Sequence, residues 1–80
     1  MTDDEWPYTI HDAASAEIIR WQGTKVGVDY TYRNGDREAH GVGAEDWPVI
    51  RKLKRAGKLS YQSDEVRAGM AEIFRLGLDR

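Results

Sequence analysis

Two pairs of a histidine and a carboxylate are the residues of this chain that could carry out acid–base chemistry. If the third strand follows a two-residue turn, His40 lies beside Asp29 on the sheet face away from the core, where a carboxylate could orient an imidazole as a general base. No nucleophile or oxyanion donor accompanies this pair, so we interpret it as a polar cross-strand contact. His11-Asp12 is typical of a local turn or capping pair. The sequence therefore predicts no enzyme.

Metal and cofactor chemistry lack the residues that they need. The chain has no cysteine, two histidines that are far apart and scattered carboxylates, so no ligand spacing such as His-Glu-x-x-His occurs. Gly41-Val42-Gly43 lacks the further glycine and the Lys-Ser/Thr end of a phosphate-binding loop. We therefore expect neither a cofactor nor a metal site.

Five cations cluster in and just after the predicted first helix, and they are the candidate partner-binding residues: Arg51, Lys52, Lys54, Arg55 and Lys58. At helical spacing they could follow a phosphate backbone. The formal net charge of −2 gives the chain no overall bias towards nucleic acid. We expect a non-enzymatic protein–protein interaction module, a small regulator or inhibitor of the kind that phages and mobile elements encode. The alternative is a nucleic-acid-binding transcriptional regulator that uses residues 51–58.

Length and composition limit the class of protein. Eighty residues make one small domain over 1–80, with residues 1–15 as an irregular N-terminal segment. Such a chain buries roughly 60–65% of its unfolded surface, so a homodimer would add core. The lack of cysteine does not suggest secretion, the acidic start is unlike a signal peptide, and no apolar run approaches the ~20 residues of a membrane span. We expect a cytoplasmic protein with no membrane partner.

The central strand is predicted from alternation. Val26, Val28, Tyr30 and Tyr32 alternate with small or polar residues, which is the pattern of a strand with one buried face. Asn34-Gly35 follows, and both residue types tolerate the positive φ of a tight hairpin turn. We therefore predict a β-hairpin in the middle of the chain, with the tyrosines facing the core.

The strands on either side are less fully specified. Residues 12–21 are compatible with a helix or a strand. We favour a strand at residues 17–21, because a two-residue loop at Gly23-Thr24 then pairs Trp21 with Val26 and Ile19 with Val28, so that apolar residues lie opposite each other. The third strand covers about residues 37–42. A two-residue turn pairs Ala39 with Tyr30, whereas a three-residue turn with a glycine bulge pairs Val42 with Val28. The sequence leaves both registers open.

Two helices complete the predicted fold. Asp46 is expected to cap the first helix, whose apolar stripe is Val49, Leu53 and Ala56 with Ile50 on its flank. Gly57 is expected to end it. Ser63 and Gly77 bound the second helix, with a buried stripe of Val66, Met70, Ile73 and Phe74. The fold class is α+β: a three-stranded antiparallel β-meander followed by two C-terminal helices packed on one face. Its core should contain Trp21, Val28, Tyr30, Leu53, Met70 and Phe74.

The helical part also bears a family resemblance. Trp47-Pro48, a basic amphipathic helix and the segment from Ser60 to Met70 are similar to the helices of ribbon-helix-helix repressors. That resemblance implies DNA binding as a dimer through a paired strand. The resemblance covers less than half of the chain. The first predicted helix is about a turn shorter than the corresponding helix of those repressors, and the Asn34-Gly35 hairpin occupies the position of their ribbon strand. We therefore do not assign the chain to that family.

Overall fold

The computed structural model describes residues 9–23 and 25–77. A 3₁₀ turn (Ile10–Asp12) is followed by four strands and two helices, in this order: β1 (Ala13–Gln22), β2 (Lys25–Tyr32), β3 (Arg37–Gly41), α1 (Asp46–Arg55), β4 (Leu59–Tyr61) and α2 (Asp64–Leu76). The α+β class is confirmed. None of the helices in the described ranges is long and apolar enough to cross a membrane.

Within the described residues the sheet has four strands, whereas the sequence predicted three. Its order is β3-β2-β1-β4; the pairs β3–β2 and β2–β1 are antiparallel, and β4 is parallel to β1. The predicted antiparallel meander is therefore present but incomplete. The missed strand, β4, has three residues and lies between the two helices, so it is too short to show an alternating pattern.

Strand β1 confirms the strand interpretation of residues 17–21 and begins earlier, so residues 13–15 of the predicted irregular segment are part of the sheet. Residues 1–8 of that segment and Thr24 lie outside the described residues. Trp21 pairs with Val26 as expected, but Ile18 and not Ile19 is opposite Val28. The cause is a β-bulge between Ile18 and Arg20, which inserts one extra residue and shifts the register.

The β2–β3 hairpin has a register that neither predicted alternative describes. Val28 pairs with His40 and Tyr30 with Glu38. The turn contains three residues, 33–35, because the Tyr32 N–H donates to the Asp36 carbonyl at 2.8 Å. Gly35 has φ +93°, which confirms the predicted positive φ in this turn. This register places His40 on the same face as the core residues, away from Asp29, which is opposite Ala39.

Both helix termini of α2 match the sequence prediction. The Ser63 hydroxyl accepts the Val66 N–H at 3.2 Å, and Gly77 follows the helix at φ +73°. In α1, by contrast, Asp46 is the first helical residue and Glu45 occupies the cap position. The exposed Ala56 lies after the end of α1, so it does not belong to the buried stripe.

Both helices pack on one face of the sheet. The core between them contains the predicted Val28, Tyr30, Leu53 and Met70, whereas Trp21 and Phe74 are only partly buried at its margin. Gly69 of α2 lies against the indole of Trp21, and a Cβ at this position would be 2.2 Å from the ring. The lack of a side chain at Gly69 thus allows α2 to approach β1 closely.

Candidate functional site

The buried carboxylate of Asp46 is the centre of the first candidate site. Asp46 is 1% exposed at the start of α1. Its Oδ1 accepts hydrogen bonds from the Tyr30 hydroxyl at 2.7 Å and from His40 Nε2 at 2.9 Å, while Oδ2 accepts the Gly43 N–H at 2.7 Å. The side chain therefore joins β2, β3 and the loop before α1. It does not act as the predicted N-cap.

These contacts determine the charge state of the cluster. Burial raises the pKa of Asp46, but the hydrogen bonds from Tyr30, the Gly43 backbone and His40 outweigh it, so this pKa lies below its ordinary value. Burial, followed by the hydrogen bond to Asp46, raises the pKa of Tyr30 far above its ordinary value. At neutral pH the pair is thus a carboxylate and a neutral phenol, and Nε2 of His40 must carry a proton in order to donate to Asp46.

His40 faces carboxylates with both of its ring nitrogens. Nε2 contacts Asp46, and Nδ1 lies 3.6 Å from Glu38 Oε2. The other Glu38 oxygen accepts the Tyr32 hydroxyl at 2.8 Å. The predicted pairing of His40 with Asp29 is therefore wrong, since Asp29 forms an ion pair with Arg37 on the opposite sheet face. The hydrogen bond from Nε2 to the buried Asp46 links β3 to the start of α1.

The other histidine belongs to a local structure. Asp12 Oδ2 accepts the Thr9 N–H at 2.9 Å and closes the 3₁₀ turn. This contact is the local capping arrangement that the sequence indicated for His11-Asp12. His11 itself is exposed and lines a groove beside α1.

The five predicted partner-binding residues lie in different surroundings. Lys52 and Lys58 line the groove beside α1, and Arg55 lines a smaller adjoining cavity of about 220 Å³. Lys54 lies over the ring of Phe74, with its Nζ 4.9 Å from the ring centroid. Arg51 is half-buried. Lys52 lines both cavities, so the cations at 52, 55 and 58 lie along adjoining cavities, whereas Lys54 contacts Phe74.

The larger groove has a volume of about 680 Å³ and lies between the 3₁₀ turn, the start of β1 and the C-terminal part of α1. We call it the basic groove. Its apolar lining comes from Ala13, Ala14, Leu53 and Ala56, and its polar lining includes one acid, Asp12. Four side chains with a positive or titratable nitrogen surround the apolar part: His11, Arg33, Lys52 and Lys58.

The three permanent cations of the basic groove have no ion-pair partner in the described part of the chain: Arg33, Lys52 and Lys58. The sequence prediction missed His11 and Arg33 as groove residues. They precede α1 by many positions, so no local spacing connects them with Lys52. Only the packing of the 3₁₀ turn and the β2–β3 turn beside α1 brings them together.

Neither a metal-binding cluster among the described residues nor a related protein points to a further functional residue. Within residues 9–23 and 25–77, no group of three or more His, Cys, Asp or Glu side chains is arranged to hold a metal ion. No family model, curated protein or solved structure matches this chain.

Proposed function

We propose that this protein is a non-enzymatic interaction module that binds an acidic segment of a partner protein in the basic groove. The observation that carries this proposal is the convergence, around an apolar lining, of cations that have no ion-pair partner among the described residues. Arg33, Lys52 and Lys58 belong to the β2–β3 turn, to α1 and to the segment before β4. Like charges that lie close together repel one another, and carboxylates of a partner would relieve that repulsion.

The lining favours a protein segment over a small anion. Leu53 is a buried core residue whose surface also lines the groove, next to three alanines. Apolar side chains of a partner would cover this region, while acidic side chains would meet the cations at the rim. In such interfaces the rim charges mainly set the association rate and its salt dependence, and apolar contact at the centre contributes most of the affinity.

The second candidate function is nucleic-acid binding through residues 51–58, because phosphates would attract the same cations. Two observations favour binding of a protein segment over binding of nucleic acid. Lys54 is directed to Phe74, which interrupts a stripe of cations along α1. The exposed cations of the basic groove lie beside an apolar lining, which a phosphate backbone would leave uncovered.

A catalytic role has little support from the Asp46 cluster. A general base needs a nitrogen or oxygen within hydrogen-bond reach of a substrate proton. The Asp46 carboxylate is buried and accepts three hydrogen bonds, and both His40 nitrogens face carboxylates. We interpret this cluster as a structural link.

The test is a binding titration with two labelled probes, a ten-residue peptide of Glu and Leu and a 20-base-pair duplex of random sequence. Fluorescence anisotropy is measured at low and moderate salt. We expect the peptide to bind and the double variant Lys52→Glu/Lys58→Glu to weaken that binding at least tenfold. The matched control is Arg20→Glu/Lys25→Glu, which makes the same charge change at exposed residues away from the basic groove.

Each result distinguishes the two functions. Peptide binding that is lost in the groove variant but retained in the control supports the proposal. Micromolar or tighter duplex binding that weakens steeply with salt would favour the nucleic-acid alternative. Equal losses in both variants would show that the peptide responds to total charge only, and would reject the basic groove as the binding site.

A further inference from the structure

Strand β3 has one edge that no other strand of the described residues pairs with. It is the outermost described strand, with β2 on its inner side. The flanking hydrogen bonds of this ladder, Tyr32 N–H to the Asp36 carbonyl and Val42 N–H to the Val26 carbonyl, are both 2.8 Å long. The even-numbered residues of β3, Glu38 and His40, therefore direct their backbone N–H and C=O groups towards β2. Since these directions alternate along a strand, the backbone N–H and C=O groups of Arg37, Ala39 and Gly41 point outward.

We propose that two copies of this chain pair through β3, antiparallel about a two-fold axis at Ala39. This axis sets Ala39 opposite the partner's Ala39 and Arg37 opposite the partner's Gly41. Directly opposed residues of this type exchange both of their backbone hydrogen bonds. The outward groups of all three residues would then be satisfied, and the two sheets would become one continuous sheet.

The side chains of β3 are complementary to themselves in this register. On the face that carries the helices, Glu38 lies opposite the partner's His40, and the reverse pair forms on the other side of the axis. On the opposite face, Arg37 meets a glycine, so it can keep its ion pair with Asp29. No like charges oppose each other along the edge. Within one chain His40 Nδ1 and Glu38 Oε2 are 3.6 Å apart, too far for a hydrogen bond, so these two atoms remain for a pair across the strands.

This self-complementarity is the reason for choosing a second copy as the occupant of the edge. A two-fold interface requires one surface to match itself, and the five residues of β3 meet that condition with Ala39 at the centre. The side chains on the sheet face opposite the helices are small at Ala39 and Gly41, so they leave space for an approaching strand. None of the basic-groove residues takes part, and the inference is therefore independent of the proposed function.

The test is sedimentation equilibrium of the full chain from about 1 μM to 1 mM, with two variants at the axis. Ala39→Pro removes the outward N–H and no hydrogen bond to β2, and proline is tolerated on edge strands. Ala39→Thr is the matched control because it keeps the N–H. We expect a monomer–dimer equilibrium that Ala39→Pro weakens at least tenfold and that Ala39→Thr retains.

A second measurement covers the case in which the proline variant does not fold. Amide hydrogen exchange of the unmodified protein should show slower exchange for Ala39 and Gly41 at high protein concentration than at low concentration. The exposed Asn34 amide should not change. A chain that stays monomeric up to 1 mM would overturn the proposal. A dimer in which these two amides exchange as fast as in the monomer would also overturn it.

Discussion

The charged side chains at the two ends of α1 have opposite surroundings. At the first residue, the Asp46 carboxylate is buried, and donors from three parts of the chain contact it. Towards the last turn, the cations of Lys52 and the following Lys58 face a groove without a described ion-pair partner. The comparison shows that charge alone does not identify a functional site: the buried charge has hydrogen-bond partners within the fold, whereas the cations of the basic groove have no ion-pair partner in the described part of the chain.

The physical reason for this contrast is solvation. A carboxylate removed from water requires hydrogen bonds and opposite charge to replace its hydration. The Tyr30, Gly43 and His40 contacts supply that replacement. An exposed ammonium keeps its water and needs no protein partner, so we expect the fold not to depend on Lys52 or Lys58. The predictions below test this separation, beginning with the largest expected effect on stability.

Replacing Asp46 by alanine should cause the largest loss. The Tyr30 hydroxyl would be buried without its acceptor, and a cavity would remain, so we expect the free energy of unfolding to fall by about 3–5 kcal/mol. Urea denaturation followed by tryptophan fluorescence measures this change. The matched control is Glu45→Ala, which removes the exposed neighbouring acid and should cost less than about 0.5 kcal/mol. Equal effects of the two variants would contradict the structural role of Asp46.

Acid titration should reveal the same carboxylate with a smaller effect. The folded pKa of Asp46 is lowered relative to the unfolded chain, so its ionised form stabilises the protein above the ordinary aspartate pKa of ~3.9. That stabilisation is lost progressively as the pH falls from about 4 through the folded pKa. The measurement is the denaturation midpoint between pH 6 and pH 2, and Asp46→Asn should show a flatter decline. Parallel curves for the two proteins would argue against the lowered pKa.

The sequence was most informative where the determinants are local. The alternation from Val26 to Tyr32, the turn glycine Gly35 and the boundaries Ser63 and Gly77 each depend on neighbouring residues, and the structure confirms them. The register of β3 was missed because the energies of alternative turns at Asn34-Gly35 are too similar to be ranked from the sequence.

Contacts between distant segments could not be predicted in this way. Asp46 has the local features of an N-cap, but its carboxylate is buried against Tyr30, sixteen residues earlier. In the same way, the basic groove requires His11 and Arg33 to meet Lys52. No linear spacing encodes such a meeting, so sequence analysis identified some of the cations but not the groove that they line.

Neutralising the groove lysines should have the smallest effect on stability. Lys52→Gln/Lys58→Gln keeps most of the aliphatic contacts and removes two unpaired charges, so we expect a change in the free energy of unfolding within about 0.5 kcal/mol. If the groove cations repel one another, the variant should be slightly more stable than the unmodified protein at low salt, and high salt should abolish the difference by screening. Thermal denaturation at about 10 mM and about 500 mM salt measures both effects. A loss above about 1 kcal/mol would mean that these lysines support the fold, and the contrast between the two ends of α1 would fail.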